Sequence, residues 1–339
     1  MLKGVEPWHL IGLQAHLFEA VATKETRPAL LIYTMRERML SLGRYHLYDG
    51  PPQRAGLSTW RRLTGGRLVG AGEGWLNLAL ILPSRDALLP VHDLKLKPDQ
   101  VMNRYVRGLL AGLRELGLEC FYPGRDAITF EQREIAMCTF ETDASGAMLF
   151  EAVLAVNRGM EEVVHDLEHF DPAGQLPCAM YGPDAATKLV RELDRDVTFA
   201  EVANAIARGY SNLLGGGARR ELTALENAHA ERRGASLEQC GWLHLSAQGN
   251  LTSRLASQLG SIEARVNTSA EGVVERIGVY GDFIANSPGI AALHSEMVGH
   301  RLDLASVSAA VMKVFGHGDN FILGIGELSN LVKLITRAQ

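Results

Sequence analysis

Trp60-Arg61-Arg62-Leu63-Thr64-Gly65-Gly66-Arg67 sets two arginines directly before a pair of glycines, and Gly72-Glu73-Gly74-Trp75-Leu76-Asn77 follows closely. Glycine has no Cβ and tolerates positive φ, so a paired-glycine turn lets the backbone come close to a ligand. Arginine presents a fixed fork of donors that suits a carboxylate or a phosphate. The stretch therefore reads as strand, Gly-rich turn and a second apolar strand, Leu76 to Leu82, shaped for an anionic ligand. It is also compatible with a plain hairpin carrying a surface charge pair. Other reactive side chains offer less. Cys120, Cys138, Cys178 and Cys240 are widely spaced, with no C-x-x-C pair, and read as small buried residues in a reducing cytoplasm. His165 and His169 lie one helical turn apart, but neither they nor His92 find an evident third metal ligand, and the pair reads as surface helix.

Composition narrows the function classes. The chain has 339 residues, 47% hydrophobic and 22% charged, enough for one large soluble domain and a small one. A net charge of -5 without a basic block gives no electrostatic support for nucleic-acid binding. No apolar run has the length of a membrane span, and the N-terminus lacks the pattern of a secretory signal. The expected protein is cytoplasmic, with neither nucleic acid nor membrane as partner.

The elements that must position the turn follow from periodicity. Apolar residues at helical spacing predict a helix over His9–Ala22. Strands are expected at Ala29–Tyr33 and Met39–Leu42. Pro98 opens a long amphipathic helix that Gly117 stops. Short strands at Ala127–Phe130 and Glu134–Thr139 precede a longer one from Gly146 to Val156. Thr198, with Glu201 three residues on, caps a helix that runs to Leu214. Gly215-Gly216-Gly217 breaks the chain. Beyond it come a helical stretch, Leu222–Arg232, two strands around the Gly272 turn, and helices at Ile290–Val298, Ser306–Phe315 and Ile325–Thr336. The expected organisation is a catalytic-type domain over 1–215, a connection over 216–255 and a small α+β accessory domain over 256–339.

Four motifs in the same order resemble those of the lipoate–protein ligases, in the biotin/lipoate ligase superfamily. Arg61-Arg62-Leu63-Thr64-Gly65-Gly66 with Gly74-Trp75-Leu76-Asn77 resembles that family's "RR-x-[ST]-GG-G … G-N-x-N" signature. Leu40-Ser41-Leu42-Gly43-Arg44-Tyr45-His46 resembles its "S-V-x-x-G-R-x-Q" strand end. Tyr122-Pro123-Gly124-Arg125-Asp126 resembles its "G-R-N-D" turn, and Ile277-Gly278-Val279-Tyr280-Gly281-Asp282-Phe283 its "I-x-x-Y-G-D-F" strand. The resemblance implies an α/β fold with a mixed central sheet flanked by helices, followed by the accessory domain.

It also implies a two-step activity. ATP and lipoate or octanoate, usually with Mg²⁺, give an acyl-adenylate, and the acyl group passes to a lysine of a lipoyl carrier domain. On that reading Arg62 holds the phosphate or the acyl carboxylate with help from Arg61. Thr64, Gly65 and Gly66 line the turn, Asn77 supports it, and Asp126, after Gly124, orients ATP or holds the metal. The alternative reading of Asp126 is a simple turn former after Gly124. Some relatives instead carry octanoate on a cysteine thiolate; Cys120 lies near that position without the matching spacing, and Cys138 has Glu141 nearby, which opposes a thiolate.

The departures concentrate on charge. The family's third glycine is Arg67 here. Its "F-H-D" is Gly70-Ala71-Gly72, and its "H-H-G-T-L-L" strand reads Phe150-Glu151-Ala152-Val153-Leu154-Ala155. Its catalytic lysine falls in Glu131-Gln132-Arg133-Glu134-Ile135-Ala136-Met137, where Glu134, or Arg133 if the gap moves by one, takes its place. A glutamate repels the groups a lysine would neutralise, at a cost on the order of 3 kcal/mol. Arg67 and Arg133 are the candidate replacement cations. The alternative is a relative that binds an acyl ligand or a lipoyl carrier domain without ligating it.

Overall fold

A computed structural model describes residues 1–49, 58–87, 95–163, 184–247 and 249–338. Its centre is a six-stranded mixed sheet built from β1 (Leu2–Val5), β2 (Ala29–Met35), β6 (Trp75–Leu82), β7 (Ala127–Phe130), β8 (Arg133–Thr142) and β9 (Met148–Ala155), in the order β1-β2-β6-β9-β8-β7. Only β1 and β2 run parallel; the other pairs are antiparallel. A second, three-stranded sheet sets β3 (Met39–Leu42) between β4 (Ser58–Arg61), which is parallel to it, and β5 (Val69–Ala71), which is antiparallel.

Both faces of the main sheet are covered, which is why β6 reads as a continuous apolar run. Leu76, Leu78, Leu80 and Leu82 face a core shared with α2 (Pro98–Glu115), while Ala79 and Ile81 face the one shared with α1 (Pro7–Ala22). After a short helix, α3 (Leu189–Glu192), α4 (Phe199–Leu214) packs beside α2; its Thr198 cap accepts from Glu201 N, as the sequence predicted. α5 (Ala224–Gln239) packs beside α1. That contact is very close: a Cβ on Gly12 would stand 2.0 Å from Ala230 O, and one on Gly234 2.2 Å from Trp8 O.

The C-terminal part has its own core. The meander β10 (Leu251–Ala256), β11 (Ser261–Thr268) and β12 (Val274–Gly281) carries α6 (Ser287–Met297), α7 (Leu304–Phe315) and α8 (Leu328–Thr336). The two-residue strands β13 (Ile284–Ala285) and β14 (Ile322–Leu323) pair beside it.

Three expectations need correction. The Gly-rich turn does not join two strands of one sheet. It links β4 to β5 on opposite sides of β3, and only the Gly72–Gly74 turn leads into β6. Periodicity identifies extended segments but not their ladder partners. The helix expected at Leu222–Arg232 continues to Gln239, because its small residues Ala230 and Gly234 give α1 room to pack. The segment read as a connection also contains most of strand β10, whose polar residues conceal a strand that is only partly covered.

Candidate functional site

The glycine turn is held from within. Arg62 is 2% exposed. Its Nη1 donates to Ser41 O (2.8 Å) and Ser41 Oγ (3.0 Å), and its Nη2 to Gly65 O (3.0 Å) and Arg67 O (2.8 Å). Arg61 donates to Leu243 O, Gly43 O and Arg44 O, and its own carbonyl accepts from Trp242 Nε1. Burial pushes both guanidinium groups down to about 10. In this conformation backbone carbonyls and Ser41 Oγ take the guanidinium donors that the sequence reading offered to a phosphate or carboxylate. A cation closed off from water needs acceptors at short range, and the neighbouring carbonyls supply them.

Thr64 Oγ1 donates to Glu151 (2.6 Å), which also accepts from Gln14 Nε2 (2.8 Å); the same Gln14 nitrogen donates to Tyr33 OH. Glu151 thus ties the turn to α1. Burial raises its carboxyl, against the pull of Thr64 and Arg62. Gly66 sits at φ +90° and donates its N–H to Phe283 O at 2.7 Å. Gly65 lies under the same carbonyl, 2.4 Å from where its Cβ would be.

Arg67 fills the middle of the site. Its Nε donates to Asp126 Oδ2 (2.6 Å) and its Nη2 to Glu134 Oε1 (2.8 Å), with Arg67 and Asp126 fully buried and Glu134 4% exposed. Glu134 is raised by burial and by the Asp126 charge, while Arg67 pulls it back. Arg133, the other candidate cation, is drawn instead to Glu131 and Glu192. Gly124 forms an exposed turn at φ +92°. Asn77 is buried in β6 between Tyr33 and Val153, and its Nδ2 finds no partner among the described residues.

A metal cage built from protein side chains alone does not fit the described residues. Asp126 keeps only Oδ1 without a partner, its other oxygen is bonded to a cation, and among the described residues no three His, Cys, Asp or Glu side chains are grouped to hold a metal. A thiolate nucleophile does not fit either. Cys138 is raised well above the usual thiol range by burial and then by Asp126 and Glu134, so the carboxylates that act on it are not the Glu141 inferred from spacing. Burial pushes Cys120 up to about 12. His92, His165, His169 and Cys178 lie outside the described residues.

Sequence reasoning missed Gln14 and Glu141. Gln14 had a visible signal, as a polar residue in the buried stripe of α1. Glu141 had none, because its partners come from the C-terminal part: its Oε1 accepts from Ser287 N (2.7 Å).

The chain matches the family model described as the lipoyl protein ligase A/B catalytic domain over residues 6–211. No curated protein sequence matches it. Among solved structures, P. falciparum LipL1 in complex with lipoate superposes with a TM-score of 0.69 at 12% identity, covering 99% of this chain and 98% of that one. A bipartite lipoate protein ligase from Thermoplasma acidophilum, studied with its E2 lipoyl domain, gives 0.56 at 18% identity, covering 73% and 96%. A lipoate-protein ligase A bound with ATP gives 0.51 at 19%, covering 69% and 91%. At these identities the structural likeness establishes the fold.

Proposed function

The chain belongs to the lipoyl protein ligase A/B catalytic-domain family, and from that premise we propose that it is a recognition protein of lipoylation, one that binds a lipoyl carrier domain or its acyl group without forming an acyl-adenylate. One observation carries this reading: the Arg67 guanidinium bonded to both Asp126 and Glu134. On the resemblance, Glu134, or Arg133 if the gap moves by one, stands where the family has its catalytic lysine. A glutamate there opposes the anionic intermediate, the Arg67 guanidinium is already bonded to two carboxylates, and Arg133 is itself paired with Glu131 and Glu192. The arginines of the turn are likewise bonded to backbone carbonyls. On this reading 1–215 is a degenerate catalytic-type domain, 216–255 a connection and 256–339 an accessory domain.

Ligation with ATP and lipoate or octanoate has one observation in its favour, the glycine turn, whose Gly66 N–H is of the kind that binds a phosphate or carboxylate. That activity would require Arg67 to leave both carboxylates.

Intact mass spectrometry of an unlipoylated carrier domain, incubated with this protein, ATP, Mg²⁺ and lipoate or octanoate, separates the two. We expect no ATP-dependent acyl mass gain, with a working ligase as positive control, alongside calorimetric binding of the carrier domain or of free lipoate. An ATP-dependent gain overturns the proposal and establishes a ligase. Absence of binding to both ligands also overturns it.

A further inference from the structure

Segment Gly281–Ser287 of the C-terminal part lies directly on the glycine turn. Gly66 N donates to Phe283 O, and Gly281 N to Tyr45 O. The Tyr45 and Phe283 rings stack at 4.7 Å. His46 Nε2 meets Asp282 Oδ1 at 2.9 Å, and the other Asp282 oxygen accepts from Ser261 N. At the centre is Glu141 of β8, 1% exposed. Its Oε1 accepts from the amide and hydroxyl of Ser287 at the start of α6, and its Oε2 lies 3.5 Å from Tyr45 OH. The same hydroxyl lies 3.2 Å from Ala285 O.

Tyr45 OH has one proton and faces two oxygens, Glu141 Oε2 and Ala285 O. With Glu141 ionised, only one of those contacts is a full hydrogen bond. With Glu141 protonated, Oε2–H donates to Tyr45 OH, which donates to Ala285 O, and both are satisfied. We propose that Glu141 is a proton-operated clasp, which closes Gly281–Ser287 over the glycine turn in acid and releases it in alkali, freeing the Gly66 N–H for a ligand.

The charges around the clasp agree in direction. Facing Glu141 are Arg44 and Tyr45 from the strand end, and the Ser287 amide and hydroxyl from α6; its ladder partner on β9 is the apolar Leu149. Burial pushes the Glu141 carboxyl up to about 7, outweighing Arg44 and the Ser287 and Tyr45 bonds. Released into water, the group returns to the ordinary carboxylate range. A carboxyl raised in the closed state favours closure fully below its ordinary range and loses that contribution as pH rises through about 7.

The clasp does not depend on whether the chain ligates. Its test is hydrogen exchange of the Gly66 and Ser287 amides between pH 5.5 and 8.5, corrected for intrinsic exchange chemistry. Wild-type protection should fall on the order of tenfold across that range, one pKa unit corresponding to a factor of ten. Glu141→Gln keeps a donor for Tyr45 and an acceptor for Ser287, so it should stay closed with a nearly flat profile. An equal slope in Glu141→Gln overturns the proposal. So does a flat or rising wild-type profile, which decides the matter even if the variant fails to fold.

Discussion

Arg67 stands, on the motif resemblance, where the family keeps a glycine, and its effect on the site is larger than a change of charge. A long side chain there fills the space beside the turn and draws Asp126 and Glu134 onto itself. Removing one member of a fully buried ion cluster leaves its partners charged, or forces them to protonate, in a medium that solvates them poorly. Arg67→Ala should therefore destabilise the fold by roughly 3–5 kcal/mol, read as a lower urea midpoint. Replacing the cluster with apolar residues of similar size, Arg67→Met with Asp126→Leu and Glu134→Leu, should recover most of that loss. If Arg67→Ala melts like the wild type, the cluster is not structural, and Arg67 becomes available again as a catalytic cation. The arginines of the turn show why residue type alone misleads: the donors that suit a phosphate suit backbone carbonyls equally well.

At the scale of elements, two helix pairs brace the sheet that carries the site, and both use glycine to approach closely. α1 meets α5 through Gly12 and Gly234, and α2 meets α4 through Gly108, Gly112 and Gly209. Gly12 lies two residues before Gln14, which holds Glu151 and through it Thr64 of the turn. Gly12→Ala forces a methyl into the backbone of α5 and should cost about 1–3 kcal/mol. The same shift should loosen Gln14 from Glu151, so exchange of the turn amides should rise alongside the fall in melting temperature. A drop in melting temperature with unchanged turn exchange would disconnect the helix pair from the site. The helix caps, by contrast, are local: Thr198 and Thr223 each accept from the third residue of their helix, so pattern alone located the start of α4.

For the whole molecule, the dominant electrostatic fact is buried carboxyls with raised affinity for protons. Glu134, Glu141 and Glu151 are all shifted upward, with burial the largest cause in each. Groups raised in the folded state contribute stability that is fully present below their unfolded range and is lost as pH climbs through their folded values. The melting temperature should therefore decline from pH 5 to pH 8, with the Glu141 share of the decline centred near 7 and absent in Glu141→Gln. A melting temperature that rises over that interval would contradict the shifts. Much of this molecule was legible from sequence, because it depends on local order. Apolar periodicity marked α1, α2 and α4 and the buried strand β6, and the order of four motifs identified the family. Those are properties of neighbours along the chain, set by side-chain spacing and backbone preference. The tertiary structure alone decided what the charged residues do. Arg67 meets Asp126 and Glu134 across separations of 59 and 67 residues, and Glu141 meets Ser287 across 146. Such partners are chosen by packing, and once water is excluded the nearest opposite charge or free carbonyl decides whether an arginine binds a ligand or holds the fold together.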